Sequence, residues 1–316
     1  MLAAPIGRLA PSPTGRLHLG HARSFLLAWW HARSRGGRIL LRIEDLDRER
    51  VKPGAIEVVL RDLAWLGLDW DGEPLLQSAD TSALEHAVDR LIAAGDAYPC
   101  VCTRAEVAAI SAPHAGEDET RYPGTCRDKW RSCADAERAT GRKPAVRLRV
   151  EPGTIEFVDG LAGPRAYDVA ATVGDFTIRR RDGAFAYQLA VTVDDARTGV
   201  DEVVRGADLL PSAARQKFLQ RRLGLPHPRW WHVGLVLDAD GQRLAKRRGD
   251  LALTTLREAG IDPRAVVAWA ARVSRQPCEE RVTPGDVLPG FQIERAGCEP
   301  VVLDREALDR LLAARA

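Results

Sequence analysis

Two histidines stand three residues apart where a short strand turns into a helix. The turn is Pro11-Ser-Pro-Thr-Gly15, and the helix opens on His18-Leu-Gly-His21. Backbone N–H groups and the helix dipole favour phosphate at such a point, Gly20 allows close approach, and imidazoles can hydrogen-bond phosphate oxygens. The pattern predicts an anion site, although an isolated pair of this kind could equally be ordinary helix-start residues.

A lysine within an arginine-rich segment is the second candidate. Arg243-Leu-Ala-Lys246-Arg247 follows the turn Asp238-Ala-Asp-Gly241, and only five of the 46 Lys and Arg residues are Lys. A Lys at this point indicates a need for a compact, mobile ammonium rather than for positive charge alone. The alternative is an exposed basic loop.

Cysteines cluster in one stretch of the chain. Cys100-Val-Cys102 is followed by Tyr122-Pro-Gly-Thr-Cys126 and by Cys133, whereas Cys278 and Cys298 stand apart. We see no export signal, so the spacing favours metal over disulfides. Thiolates bind zinc tetrahedrally, and such a site would stabilise a subdomain too small to be stable alone. A core of reduced cysteines is the alternative.

The elements that must position these residues alternate between strand and helix. Because this alternation is typical of parallel sheets, the fold class we predict is α/β with a doubly wound, Rossmann-type parallel sheet. The elements are strand 6–10, helix 19–35, strand 38–43 and helices 54–66 and 82–94.

The composition changes near residue 98, where Cys, Pro, Gly and charged residues become frequent. We expect an inserted zinc-bearing α+β subdomain over 98–188, between catalytic halves 1–97 and 189–249, and a helical C-terminal unit over 250–316 that resembles a stem-contact region. Further predicted strands are 145–150 and 154–158, a hairpin of 176–179 with 184–188, and a resumed sheet at 189–195 and 231–237.

The composition excludes a membrane protein. The chain has 316 residues, 45% hydrophobic and 28% charged, and no apolar run approaches the roughly 20 residues that span a bilayer. With no room for a signal peptide we expect a cytoplasmic protein. The net charge is only +2, but basic residues cluster at 127–149, 179–181 and 243–248, which suits a phosphate backbone. A solvated arginine-rich surface is the alternative reading.

The two motifs occur in order, about 220 residues apart, and together they resemble class I aminoacyl-tRNA synthetases. His18-Leu-Gly-His21 is similar to their His-Ile-Gly-His signature, and Arg243-Leu-Ala-Lys246-Arg247 to their Lys-Met-Ser-Lys-Ser loop. The departures are Arg243 and Ala245. The resemblance implies that His18, His21 and Lys246 are catalytic, that these three and Gly20 bind ATP, and that Mg²⁺ accompanies the ATP.

Neighbouring segments narrow the resemblance to the glutamyl and glutaminyl enzymes. The segments are Arg8-Leu-Ala-Pro-Ser12, Leu41-Arg-Ile-Glu-Asp-Leu-Asp47, Val193-Asp-Asp195 and Val204-Arg-Gly-Ala-Asp208. The resemblance implies a glutamate pocket formed by Arg8, Leu9, Ala10, Pro11, Ser12, Glu44, Tyr187 and Arg205. Guanidinium groups suit the two carboxylates of glutamate, and a carboxylate such as Glu44 suits its amine. The alternatives are surface ion pairs for the arginines and a core aromatic for Tyr187.

The cysteine pattern resembles that of the short glutamyl-Q branch of this family. There the ligands of one structural Zn²⁺ are two Cys, a Tyr and a further Cys, which implies Cys100, Cys102, Tyr122 and Cys126 here. The loop between the two halves is long in this chain, so the fourth ligand could instead be His114 or Cys133.

The same branch implies the function. Its members activate glutamate with ATP and attach it to queuosine in the anticodon of tRNA(Asp), and the present chain ends about seventy residues after Lys246, without a further helical domain. We therefore expect ATP, L-glutamate and queuosine-bearing tRNA(Asp) as partners, no membrane, and a monomer. The alternatives are a truncated glutamyl-tRNA synthetase that charges a 3′ end, a tRNA-binding paralogue without catalysis, and an enzyme that glutamylates a carrier protein or small molecule.

Overall fold

The chain opens with the predicted strand–helix–strand unit. A computed structural model describes residues 4–110, 121–242 and 251–315. Strand β1 (Ile6–Leu9), helix α1 (Leu19–Arg33) and strand β2 (Arg38–Ile43) form as expected, followed by α2 (Ala55–Trp65) and a short β3 (Leu75–Leu76). The three strands are parallel in the order β1-β2-β3.

Two later strands extend the parallel layer beside β1. Strand β9 (Glu202–Gly206) pairs in parallel with β10 (Arg229–Val233). The backbone N–H of Asp201, next to β9, donates to the carbonyl of Ile6 at 3.0 Å. The catalytic fold is therefore α/β with parallel strands.

Helices cover both faces of this layer. Side chains alternate across a strand, and in β9 the Val203 side chain packs into one hydrophobic core whereas Val204 packs into another. The core of Val204, called here the first core, includes α1, α2 and the C-terminal region. The core of Val203, the second core, includes α3 (Ser82–Ala93), α7 (Tyr187–Arg197) and α8 (Leu210–Leu223).

Residues 97–110 and 121–179 form short strands and helices. Strand β5 (Ala145–Leu148) lies antiparallel between β4 (Ala97–Cys100) and β8 (Thr177–Arg179), and β6 (Thr154–Asp159) forms a hairpin with β7 (Gly163–Asp168). The strands expected at 145–150 and 154–158 are confirmed, and β7 was not foreseen. The helices here are α4 (Arg104–Ile110), α5 (Cys133–Thr140) and α6 (Val169–Thr172).

The strand predicted at 189–195 is wrong, because this segment is the middle of helix α7. Every residue from Gln188 to Asp195 is buried, so the apolar spacing shows no amphipathic helical period. The predicted hairpin is only partly formed. Arg179 makes a single bridge with Phe185, and Tyr187 already begins α7.

The C-terminal region is mainly helical, as predicted, and shares the first core with α1. One strand pairing was not foreseen: β11 (Val236–Leu237) lies parallel to β12 (Val301–Val302). The fully buried Arg23 of α1 donates to Ser274 Oγ at 2.9 Å and to the carbonyls of Gly234 at 2.5 Å and Ala296 at 3.4 Å. The helices are α9 (Leu253–Glu258), α10 (Pro263–Val273), α11 (Pro284–Val287) and α12 (Arg305–Ala313).

The helices that the structure describes include none with the length and apolar character to cross a bilayer.

Candidate functional site

The two histidines at the start of α1 cap the N-terminus of the helix through hydrogen bonds to backbone N–H groups. His18 is the N-cap residue, and its Nδ1 accepts the backbone N–H of Gly20 at 3.1 Å. The Nδ1 of His21 accepts the backbone N–H of His18 at 3.2 Å. This reciprocal pair is a capping box built from imidazoles. It brings the ring centroids to 3.8 Å from each other.

These hydrogen bonds assign the ring protons. A nitrogen that accepts a backbone N–H carries no hydrogen, so in the neutral ring the hydrogen sits on Nε2. Burial lowers the pKa of His18, and burial followed by the neighbouring His18 lowers the pKa of His21 to about 3. Both rings are therefore neutral hydrogen-bond donors through Nε2 at physiological pH.

Gly20 packs closely against the His18 ring. A Cβ at this position would lie 3.0 Å from Cε1 and 3.1 Å from Nδ1 of His18. The residues before and after the predicted lysine loop both lie close to this helix start. The Cβ of Val236 would lie 3.7 Å from a Cβ at position 20, and Ala252 forms an isolated antiparallel β-bridge with His18. Lys246 itself lies outside the described residues.

Strand alternation places three arginines on one face of the parallel layer. Arg8 in β1 shares its face with Ile6, Arg42 in β2 with Leu40, and Arg205 in β9 with Val203. The apolar neighbours of all three belong to the second core. All three arginines are buried and lie near the carboxyl ends of their strands, the edge at which parallel α/β sheets bind ligands.

Arg8 and Arg42 share Asp195 of α7. Arg42 Nη1 donates to Asp195 Oδ1, and Arg42 Nη2 donates to Glu44 Oε1 at 3.1 Å. Arg8 lies farther from Asp195, with Nε 3.7 Å from Oδ1, and its Nη1 donates to the carbonyl of Val204 at 3.0 Å. The buried Nε of Arg8 has no hydrogen-bond partner among the described residues.

Arg205 makes its hydrogen bonds to neutral groups. Its Nε donates to His232 Nε2 at 3.0 Å, its Nη1 to Gln216 Oε1 at 2.9 Å and its Nη2 to the carbonyl of Leu209 at 3.4 Å. Only 5% of the residue is exposed, and no carboxylate of the described part lies within 4.0 Å of its guanidinium. A buried charge without a counter-ion costs free energy, so an anion bound beside the Arg205 guanidinium would stabilise it.

The remaining predicted pocket residues surround these groups. Burial first, and then the Glu44 carboxylate, raises the pKa of the Tyr187 hydroxyl, whose charged neighbours also include Arg205 and Arg8. The hydroxyl end is thus the buried end of Tyr187, although 38% of the residue is exposed towards a cleft. Ser12 Oγ donates to the carbonyl of Glu44 at 3.3 Å.

Backbone contacts fix the loop before Ser12. The carbonyl of Pro11 accepts the N–H of Glu44 at 2.9 Å, and Ala10 is half-buried. The Leu9 side chain lies in the first core, on the opposite face from the three arginines. Leu9 can therefore contribute to this pocket through its backbone.

Three thiols and a phenol converge in a separate cluster. The sulfur atoms of Cys100, Cys102 and Cys126 lie within 4.8 Å of one another. The Tyr122 hydroxyl lies 3.3 Å from Cys100 Sγ and 3.7 Å from Cys102 Sγ, and it accepts the N–H of Cys126 at 2.8 Å. Cys133 lies outside this group and packs against the second core. His114 falls outside the described residues.

A cleft of about 1170 Å³ runs from this cluster to Tyr187. Its walls include Cys102, Tyr122, Tyr187 and Gln188. The lining also carries the arginines Arg104, Arg147, Arg180, Arg181 and Arg215 and the aspartates Asp175, Asp182 and Asp208. The histidine pair is not part of this lining. Arg8, Arg42 and Arg205 do not line the cleft either, and Tyr187 is the predicted glutamate-binding residue that it shares.

Two pocket residues were missed by the sequence reasoning. Arg42 and Asp195 both lie inside quoted motifs, yet neither was given a role. The alternation of Arg38-Ile-Leu-Leu-Arg-Ile43 could have placed Arg42 on the face of Arg8, since residues two apart in a strand share a face. The role of Asp195 was hidden by the mistaken strand at 189–195.

The sequence matches one protein family over most of its length. The family model described as tRNA synthetases class I (E and Q), catalytic domain, covers residues 6–309. Glutamyl-Q tRNA(Asp) synthetase of Symbiobacterium thermophilum is 46% identical over 96% of this chain and 98% of its own. The corresponding protein of Nocardia farcinica is 48% identical over 96% of this chain and 94% of its own. The protein of the same name from Nitratidesulfovibrio vulgaris is 43% identical over 96% of this chain and 97% of its own.

Solved structures agree with this likeness. The glutamate-tRNA synthetase of Elizabethkingia anophelis superposes with a TM-score of 0.82 at 25% identity. The match covers 96% of the present chain and 68% of that one. A glutamate tRNA ligase from Elizabethkingia meningosepticum, in complex with its amino acid, matches to the same extent.

Proposed function

Because this chain belongs to the glutamyl-Q tRNA(Asp) synthetases, within the class I tRNA synthetases (E and Q), we propose that it activates L-glutamate with ATP and transfers the glutamyl group to queuosine in the anticodon of tRNA(Asp). The enzyme is a ligase that converts ATP to AMP and pyrophosphate. The observation that carries the amino-acid part is the buried Arg205 without a described carboxylate partner.

The pocket residues suit the three charged groups of glutamate. Arg205 binds one carboxylate, and the unpartnered Nε of Arg8 points to a second acceptor position. Glu44 uses Oε1 for Arg42 and keeps its other oxygen for the ammonium group. Ser12, Tyr187 and the backbone of 9–11 complete the walls. Asp195 lies closer to Arg42 than to Arg8, and neither Asp195 nor another described carboxylate lies within 4.0 Å of Arg205, so Arg205 is the arginine most available to the substrate.

Activation is a displacement at phosphorus. A carboxylate oxygen of glutamate forms a bond to the α-phosphorus of ATP, and the bond from that phosphorus to the bridging oxygen breaks as its electrons leave with pyrophosphate. His18 and His21 donate from Nε2 to the α-phosphate oxygens as charge develops there. Lys246 neutralises the departing pyrophosphate, and Mg²⁺ accompanies the phosphates.

The second step moves the glutamyl group from AMP to a nucleic-acid hydroxyl. The hydroxyl oxygen attacks the glutamyl carbonyl carbon, the bond from that carbon to the phosphate oxygen breaks, and AMP leaves with its electrons and takes up the hydroxyl proton. Arginines of the cleft, such as Arg104 and Arg181, suit the phosphates of an anticodon stem-loop. Because Tyr187 lines both the cleft and the proposed glutamate pocket, RNA bound in the cleft would bring a base close to that pocket.

The cysteine cluster fits a structural zinc. Three thiols and one phenol supply four donors of the kinds that zinc accepts, and they lie close enough to converge. Cys100, Cys102, Cys126 and Tyr122 would hold the ion. When bound, it would tie β4 to the turn at Cys126. No step of the reaction involves these residues.

The test offers two RNAs separately. Queuosine-containing tRNA(Asp) and unmodified tRNA(Glu) are incubated with the protein, ATP and labelled glutamate. Labelling of tRNA(Asp) that is recovered in the anticodon fragment after nuclease cleavage is the expected result. Labelling of tRNA(Glu) alone, at its 3′ end, would indicate a truncated glutamyl-tRNA synthetase. Absence of glutamate-dependent pyrophosphate exchange would indicate a non-catalytic paralogue.

A further inference from the structure

A histidine stands beside Arg205 in the sheet. Strand pairing sets His232 of β10 opposite Arg205 of β9. His232 is fully buried. On its other side, His232 Nδ1 lies 2.5 Å from Oδ2 of the buried Asp159, which ends β6. A continuous row of contacts therefore runs from Asp159 through His232 to Arg205.

The chemistry of the row allows one arrangement of protons. The Nε of Arg205 can only donate, so His232 Nε2 must accept and carries no hydrogen. His232 Nδ1 therefore carries the hydrogen and donates to Asp159. The carboxylate is ionised, because three backbone N–H groups, from Leu161 at 3.0 Å, Ala162 at 2.8 Å and His232 at 3.3 Å, also donate to it.

Asp159 is itself held in place by the turn of the β6–β7 hairpin. The N–H of Gly160 donates to the carbonyl of Trp230 at 2.8 Å. A Cβ at Gly160 would lie 2.1 Å from the ring of Trp231, so only glycine allows this approach to β10. The hairpin turn is therefore fixed against the strand that carries His232.

We propose that Asp159 and His232 are positioning residues that hold the Arg205 guanidinium in the orientation that receives glutamate. Asp159 fixes the tautomer of His232, and His232 presents a lone pair to Arg205 Nε. Gln216 fixes Nη1 in the same way. Because these partners of Arg205 are neutral, its charge stays available to the substrate. The inference rests on the proposed function, in which Arg205 binds a glutamate carboxylate.

Asp159→Asn tests the hydrogen-bonded row from Asp159 to Arg205, because Asn has nearly the same size and shape as Asp. The amide oxygen can still accept the N–H groups of Leu161 and Ala162, and its nitrogen then faces His232 Nδ1. A donor at that place moves the ring hydrogen to Nε2, which then opposes the N–H of Arg205. Loss of this acceptor should raise the KM for glutamate about 10- to 100-fold. The KM for ATP should change less than threefold.

The measurement is glutamate-dependent pyrophosphate exchange, with thermal unfolding followed on the same samples. Asp168→Asn, at the other end of the hairpin, is the matched control and should leave both KM values unchanged. In an Arg205→Lys background, Asp159→Asn should add no more than about twofold, because residues that act through one group are not additive. Multiplicative effects would overturn the proposal. So would an unchanged glutamate KM in folded Asp159→Asn.

Variants of His232 decide the matter if Asp159→Asn does not fold. His232→Gln offers an acceptor to Arg205 and a donor to Asp159, and it should keep the glutamate KM within about fivefold of wild type. His232→Leu offers neither and should raise it. Equal KM values for these two variants would overturn the proposal. A wild-type protein without any exchange would instead overturn the proposed function.

Discussion

The backbone N–H of His18 donates to Nδ1 of His21, 3.2 Å away, so that Nε2 carries the ring hydrogen of His21. His18 is fixed in the same way by the N–H of Gly20. The hydrogen bonds that start helix α1 therefore also orient the two donors of the proposed ATP site.

Folding and catalysis can be separated at this pair. Asn is a good N-cap residue but has no counterpart of Nε2. His18→Asn should therefore keep the melting temperature near that of wild type, while pyrophosphate exchange falls about 100- to 1000-fold. His18→Ala should lose both stability and activity. Wild-type exchange in folded His18→Asn would remove His18 from the mechanism.

Binding of glutamate should weaken in acid because of Glu44. Burial raises the pKa of Glu44 above its ordinary value of 4.5, against the opposing effect of Arg42. The carboxylate is therefore protonated at a higher pH than an exposed Glu and loses its attraction for the ammonium group. The value of kcat/KM for glutamate, which reports the free enzyme, should fall as the pH falls, with a midpoint above 4.5.

Glu44→Gln provides the comparison for that profile. Its kcat/KM should be low at every pH and should keep only the titration of glutamate itself. An acid limb of unchanged position and depth in this variant would contradict the assignment of the limb to Glu44.

A second carboxylate should control stability rather than binding. Glu202 is buried at the amino end of β9 and accepts from Trp231 Nε1 at 2.5 Å and Arg35 Nη1 at 2.9 Å. Burial opposes its ionisation, but hydrogen bonds, with that of His31 the largest, outweigh burial and lower the pKa of Glu202 to about 2. A lowered pKa contributes stability that is present above 4.5 and is lost as the pH falls towards 2.

Glu202→Gln removes that contribution. The free energy of unfolding at pH 7 should decrease by about 3 kcal/mol, and the loss of stability between pH 4.5 and 2 should become shallower. Urea unfolding across this pH range measures both effects. Glu280→Gln, at an exposed position, is the control and should change neither. Parallel curves for wild type and Glu202→Gln would show that the pKa of Glu202 is not lowered.

Elemental analysis should find one zinc per chain. Cys126→Ala removes a central donor of the cluster and should abolish stoichiometric zinc and lower the melting temperature. Cys133→Ser should retain the metal, because Cys133 packs against the second core. Tyr122→Phe should weaken binding about 10-fold or more if the phenol is a ligand. Absence of zinc in wild type, together with full stability after chelation, would contradict the prediction.

The sequence was sufficient to predict the features that depend on local periodicity or on family motifs. Strands β1 and β2 and helix α1 were foreseen from their periodicity. His18, Glu44 and Arg205 were selected from the motifs, and their roles stay predictions. The structure brings Glu44, Tyr187 and Arg205 to one face of the sheet. The function followed from the same motifs and agrees with the named relatives.

Other features depend on contacts between distant segments. Helix α7 was mistaken for a strand because Leu189-Ala-Val-Thr-Val193 is apolar and rich in β-branched residues, and because its burial on all sides leaves no helical period. His232 and Asp159 are 73 positions apart and meet only when the hairpin turn reaches β10. A histidine between buried residues of a strand was the available signal.

The buried Arg23 of α1 is hydrogen-bonded to the C-terminal region, so this region is part of the catalytic fold and cannot be exchanged as a separate module. Within the described part of the chain, the hydrogen-bond acceptors of Arg23 are Ser274 Oγ and two carbonyls, one of them from Ala296. A chimera with a different C-terminal region would have to supply new hydrogen-bond acceptors to the buried guanidinium in place of those that Ser274 and Ala296 provide.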